Sequence, residues 1–126
     1  MLGFDQLEMA NLFGLASHAT GEISTLGRDA IGWVGARRTL DLALGRCDVV
    51  LLAYGVTEPG GAARAHHRAQ VAWLCDEVRR RRLPTIQLGD GPRHPSRWQR
   101  YTSRHRPGTP FDVAVRESLQ RALPET

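Results

Sequence analysis

Lysine is absent from this 126-residue chain, so all 17 strongly basic side chains are arginine and guanidinium carries the whole basic side of the formal +4 charge. That absence excludes a Walker-type phosphate loop, whose lysine reaches the β- and γ-phosphates; Gly60-Gly61 also misses the glycine spacing of a Rossmann turn. Arginine in place of lysine throughout is first a signature of a GC-rich genome, and the charge is permissive rather than diagnostic, since guanidinium binds phosphate bidentately and in a salt-sensitive way. Long apolar runs are missing as well. No stretch approaches the ~20 residues that span a bilayer, so no membrane partner is expected. Cysteine is scarce: Cys47 and Cys75 fall at a helix end and on a helix face, as small apolar side chains in a reducing compartment do, and no Cys/His spacing suits zinc. Neither a metal nor another cofactor is implied. The N-terminus lacks the basic start and cleavage site of a secretory leader, which makes the cytoplasm the expected location.

What is present reads as a single α/β domain over 1–126, with three strand-like segments alternating with three helical patterns. The strands are "LEMANLF" (7–13), "DVVLLAYG" (48–55) and "PTIQLG" (84–89). The second is a continuous apolar run, as expected of a strand covered on both faces. Trp33, Ala36, Leu40, Ala43 and Leu44 recur at helical spacing after the first strand, and Val71, Leu74, Cys75 and Val78 after the second. Trp73 falls off that second stripe, covered by a neighbouring segment or part of an interface. The last helix begins at "TPFDVAVRESLQRAL", with Thr109 as cap, Pro110 at the first position, Asp112 in the positive first turn, and Phe111, Val115, Leu119 and Ala122 on the buried face. Arg79 to Arg82 resemble a nucleic-acid patch but end a helix, where cations suit the dipole. Residues 103–110, "SRHRPGTP", read as a surface loop.

In a parallel sheet the loops at the carboxyl ends of the strands gather on one edge, where ligands bind. The first such loop carries Asn11 and, beyond it, His18. The second carries Tyr54, Gly55, Glu58, Gly60 and Gly61, leading into a helix whose free N–H groups suit an anion. His66 and His67 are adjacent, about 100° apart on a helix, and so cannot readily share one metal. The third is "GDGPRHPSRWQR". Pro92 and Pro95 bracket Arg93 and His94, holding the imidazole in a stiff frame. Arg97 and Arg100 follow, with Trp98 and Tyr101 either as stacking faces for bases or as the buried side of a short helical turn.

On "GFDQLEMANLFGLASHAT", "DVVLLAYG" and "LGDGPRHPS", in that order, the chain resembles the bacterial and phage family catalogued as domain of unknown function 1643. It bears a fainter similarity to the uracil-DNA glycosylase superfamily. These resemblances imply a three-layer α/β sandwich with a short, mostly parallel sheet of about three strands and crossover helices. They also imply a nucleobase- or nucleotide-binding site, in which Asn11 reads the base edge and His94 stabilises negative charge on a departing base. Tyr54, Gly55, Arg93, Ser96 and Arg97 would line that site, the last two near sugar-phosphate. An N-glycosidic hydrolase needs such help because its transition state builds negative charge on the base. Members of the family carry an earlier "NPS" segment that this sequence lacks, so the chain reads as truncated relative to the family. Glu58 or Asp90 then stands in for the missing water-positioning group, and the open strand edge favours a homo-oligomer or a complementing subunit. The other expectation is a non-catalytic module binding a nucleotide or nucleic acid.

Overall fold

The computed structural model describes residues 6–14 and 26–122. The chain is an α/β protein whose elements run α1 (Ile31–Leu44), β1 (Val50–Leu52), α2 (Ala62–Arg80), β2 (Thr85–Leu88), a 3-10 turn (Pro95–Arg97), α3 (Trp98–His105), α4 (Phe111–Ser118) and β3 (Leu119–Arg121). Its contacts gather in two compact units. Among the described residues, one comprises 6–7, 49–56 and 84–122; the other comprises 8–14, 26–48 and 57–83.

The first unit is built on a mixed sheet of order β1-β2-β3. β1 and β2 are parallel, with Val50 opposite Thr85 and Leu52 opposite Gln87, and the connection between them includes α2. β3 lies antiparallel on the other side of β2, Leu88 facing Leu119 and Ile86 facing Arg121. The apolar segments at 48–55 and 84–89 therefore form strands as their composition predicts. The segment 7–13 does not: its described residues are irregular, and the third strand comes from residues expected to continue the last helix. "ESLQRAL" is rich in helix formers, but the chain turns extended at Leu119 (φ −70°, ψ 132°). Pairing with β2 gives the peptide groups along that strand a second set of partners, and Ala122 N–H adds a bond to the Thr85 carbonyl. An otherwise bare edge outweighs local propensity. Leu52, Thr85, Leu88, Thr102, Ala114, Val115 and Ser118 are the buried residues around this sheet.

The final helix starts where its sequence says, with Asp112 in the first turn, yet Pro110 is the cap residue and no side chain caps the helix. Thr109 therefore does not act as the cap. Phe111 is 44% exposed, and the buried side is Ala114, Val115 and Ser118. Ser103, Arg104 and His105 belong to α3, which shortens the expected 103–110 loop to Arg106–Pro110.

The second unit is a pair of helices clasping the N-terminal segment. Trp33, Ala36, Leu40 and Leu44 form the buried stripe of α1, and Ala63, Gln70, Leu74 and Val78 that of α2. Leu12 and Phe13 are buried with them, the Phe13 ring 4.8 Å from Trp33. Gln70, wholly buried, donates from Nε2 to the carbonyls of Leu12 (2.9 Å) and Trp33 (2.7 Å), and accepts from Arg37 Nε at 2.9 Å. Both polar atoms of its amide are thus partnered, as burial requires. Trp73 is covered by the Arg37 guanidinium, 5.1 Å from its ring. Three of the four arginines at 79–82 pair with Asp76, Glu77 or Asp41, so the run closes a helix with local ion pairs. Both cysteines are free thiols, and burial pushes each thiol up from its ordinary value.

Candidate ligand-binding edge of the sheet

Because β1 and β2 run parallel, their carboxyl ends lie on the same edge of the first unit, and the two loops that leave them are joined there. Gly55 N–H donates to the Pro92 carbonyl at 2.6 Å. Gly55 holds φ +97°, in the region that favours glycine, and a Cβ there would stand 3.8 Å from His94 Cβ. The sequence-predicted groups Tyr54, Gly55, Asp90, Arg93, His94, Ser96 and Arg97 all belong to this unit. Asn11 and Glu58 belong to the other, and His18 lies outside the described residues.

The Pro-bracketed frame around His94 has a definite local geometry. His94 is extended (φ −64°, ψ 139°), as the following proline demands, and caps the 3-10 turn: its Nδ1 accepts the backbone N–H of Ser96 at 3.1 Å. Ser96 Oγ lies 2.9 Å from the same nitrogen. A backbone amide can only donate, so Nδ1 is the acceptor and a neutral ring carries its proton on Nε2. The imidazole is exposed. It therefore presents a fixed N–H donor at the carboxyl edge of the strands.

Arg93 is committed to the loop itself. Its Nη1 donates to Asp90 Oδ1 at 2.7 Å and approaches the Leu88 carbonyl at 3.4 Å, while its guanidinium stands 4.3 Å from the Tyr101 ring centroid. His105 stacks on the same ring at 4.0 Å, and its Nδ1 lies 2.8 Å from the Tyr101 carbonyl. Trp98 is half-buried, its indole N–H on the Arg93 carbonyl at 2.9 Å. Tyr101 is thus held between two partners and Trp98 is tied by its indole N–H, but both rings are half-buried and the buried residue of the short helix is Thr102. Asp90 carries the consequence of its partner: the Arg93 hydrogen bond holds its carboxyl below the usual range.

Glu58 is engaged in the same way. It takes a two-point bond from Arg68 (3.0 and 2.9 Å) with Arg64 Nε 3.5 Å away, and the Arg68 hydrogen bond lowers its pKa. It sits just before the N-terminus of α2, where Gly61 (φ +60°) is the cap residue. The two adjacent histidines go separate ways: His66 Nε2 lies 3.2 Å from the Arg28 carbonyl, while the His67 ring meets the edge of Trp33 at 5.9 Å. Asn11 is exposed on a segment anchored behind it by Leu12 and Phe13.

Sequence reasoning passed over Gly89, Gln70 and Arg104. Gly89 has φ +68° and lies under the Tyr101 phenol, with its N–H on the Ser118 carbonyl at 2.9 Å; a glycine directly after a buried strand was the available signal. Arg104 extends the arginine series begun at Arg97. Comparison with family models, curated proteins and solved structures finds no match to this chain.

Proposed function

We propose that the carboxyl edge of β1 and β2 binds a nucleobase or nucleotide, with His94 Nε2–H donating to an acceptor atom of the base and Arg97 meeting a phosphate. The observation that carries this reading is the hydrogen bond from Ser96 N–H to His94 Nδ1: it leaves the ring's other nitrogen as a positioned donor at the strand ends. Such a donor suits an oxygen that gains negative charge, because it is oriented before the charge develops. On that ground the resemblance to the glycosylases leads to a hydrolase of N-glycosidic bonds, with His94 stabilising the departing base. In that reading Asp90 positions water.

A non-catalytic binding module is the second reading. It is favoured by one observation: both candidate carboxylates are already held by arginines, which makes them weaker bases. Thermal stabilisation by free bases, nucleosides and mononucleotides tests binding, and chromatographic detection of released base from nucleosides, nucleotides and DNA tests turnover. Stabilisation that disappears in His94→Ala supports the site. Released base that disappears in the same variant supports the hydrolase, whereas stabilisation without product supports the module. No stabilisation by any of these ligands would overturn both readings.

A further inference from the structure

We propose that Arg97, Arg100 and Arg104 form a face that grips the phosphodiester backbone of a nucleic acid without reading its bases. Arg97 ends the 3-10 turn and precedes α3 directly, so the three positions follow at spacings of three and four and share one side of the helix. That side is opposite Thr102, the buried residue of α3, and all three side chains are exposed.

The fold does not account for this stripe. Arginines elsewhere are mostly neutralised locally: Arg46 by Glu8, Arg64 and Arg68 by Glu58, Arg80 by Glu77, Arg81 by Asp41 and Glu77, Arg93 by Asp90, Arg106 by Glu117. Among the described residues no carboxylate pairs with Arg97, Arg100 or Arg104, and α3 itself contains no acidic residue. Like charges at this spacing weaken a helix, and Arg97 and Arg100 stand at the positive end of its dipole. Arg104, in the last turn, suits the negative end of the dipole, but the positions of Arg97 and Arg100 cost the isolated helix stability.

Its geometry suits a chain of phosphates. Seven residues of helix rise span roughly 10 Å, long enough to run beside several charges of a duplex, whose strands each carry one per about 3.4 Å of axis. A lone phosphate would use one of these guanidinium groups; a polymer uses all three. Single-strand binders add exposed aromatic rings on which bases stack. Here Tyr101 lies between Arg93 and His105 contacts, and Trp98 is half-buried with its indole N–H on the Arg93 carbonyl, so α3 offers no series of rings for successive bases. Backbone contact with little sequence preference is what remains. This inference extends the nucleotide reading to a polymer and shares only Arg97 with it.

The test is fluorescence anisotropy on the full chain with short DNA duplexes of two unrelated sequences and the matching single strands, across a salt series. The variants are Arg97→Gln/Arg100→Gln/Arg104→Gln and, as a control, Arg28→Gln/Arg38→Gln/Arg82→Gln, each lowering the formal charge from +4 to +1. Both sets are exposed, and thermal melts check that both fold. Expected are similar affinities for the two duplexes and a log–log salt slope that becomes shallower by about 2.7 in the first variant, at about 0.9 per phosphate contact, but not in the control. Equal loss of slope in both variants, tighter binding to single strands than to duplexes, or no binding at low salt would overturn the proposal. Mononucleotide stabilisation with no polymer binding would overturn this inference alone, while polymer binding with no mononucleotide stabilisation would overturn the nucleotide reading alone.

Discussion

The phenol of Tyr101 rests on Gly89 so closely that any Cβ at that position would collide with it, and Gly89 also holds a left-handed backbone at φ +68°. Two independent demands meet at one residue, where β2 hands over to the loop that carries Arg93 and His94. Gly89→Ala is therefore expected to destabilise the protein by about 2 kcal/mol or more, combining backbone strain with overpacking. Urea denaturation checks this. Gly108→Ala is the comparison, since that glycine has φ +78° but open space around its α-carbon, and its cost should be limited to about 1 kcal/mol.

Gln70→Ala is expected to cost about 3 kcal/mol. It leaves the carbonyls of Leu12 and Trp33 without their buried donor and removes the acceptor of Arg37. Hydrogen exchange should show faster exchange at Gly14 N–H, which bonds the Gly32 carbonyl, because the segment that Gln70 ties down loosens first. An unchanged exchange rate there would remove Gln70 from this role.

Burial lowers the pKa of His67, against an opposing pull from Glu58. The folded ring thus holds its proton less tightly than the unfolded one. The stability it contributes is complete above the unfolded value of about 6.5 and is lost as pH falls through that value toward the lower folded one. Thermal midpoints should decline from about pH 7 downward in the wild type, and His67→Phe, which keeps a ring beside Trp33, should flatten that decline. Glu58 acts further down the scale: its Arg68 bond depresses the folded pKa, so its contribution is present above roughly pH 4 and disappears below. Glu58→Gln should reduce the steepness of acid unfolding in that lower range.

The tautomer of His94 is directly observable. Long-range proton–nitrogen correlation spectra at neutral pH or above should show an unprotonated Nδ1 and a protonated Nε2. Ser96→Pro, which removes the N–H that Nδ1 accepts, should let the other tautomer appear. If both forms are equally populated in the wild type, the cap does not orient the ring.

Legibility in the sequence followed the strength of the local signal. β1 was readable because 48–55 is a continuous apolar run, β2 because a short segment carrying Ile86 and Leu88 is bounded by Pro84 and Gly89, and α1 because Trp33, Ala36, Leu40 and Leu44 keep helical spacing. The irregular course of 7–13 was not readable. Leu12 and Phe13 are apolar because they pack on helices, and burial alone does not specify extended pairing. β3 was hidden for the converse reason: Leu119 to Arg121 have no strand character of their own and become a strand through β2. The stiffness around His94 was visible in its two prolines, but the bond that selects the proton position runs to a backbone N–H, which no side-chain pattern reveals. Arg93 likewise read as a ligand-facing cation, whereas its cation–π partner three-dimensionally adjacent at Tyr101 is set by the turn between them.

The interleaved origin of the sheet unit restricts how it can be dissected. Since β1 is supplied from Val49–Val56 and the other two strands from beyond Pro84, no single uninterrupted stretch of the gene encodes the sheet without α2, one helix of the other unit. A subclone opening at Pro84 would carry β2, β3, α3 and α4 but would bare the hydrogen-bonding flank of β2 that β1 occupies. Such a flank recruits foreign strands. Insoluble expression is the outcome to anticipate from that boundary, and fusion of the missing eight-residue strand segment as a peptide is the way to restore it.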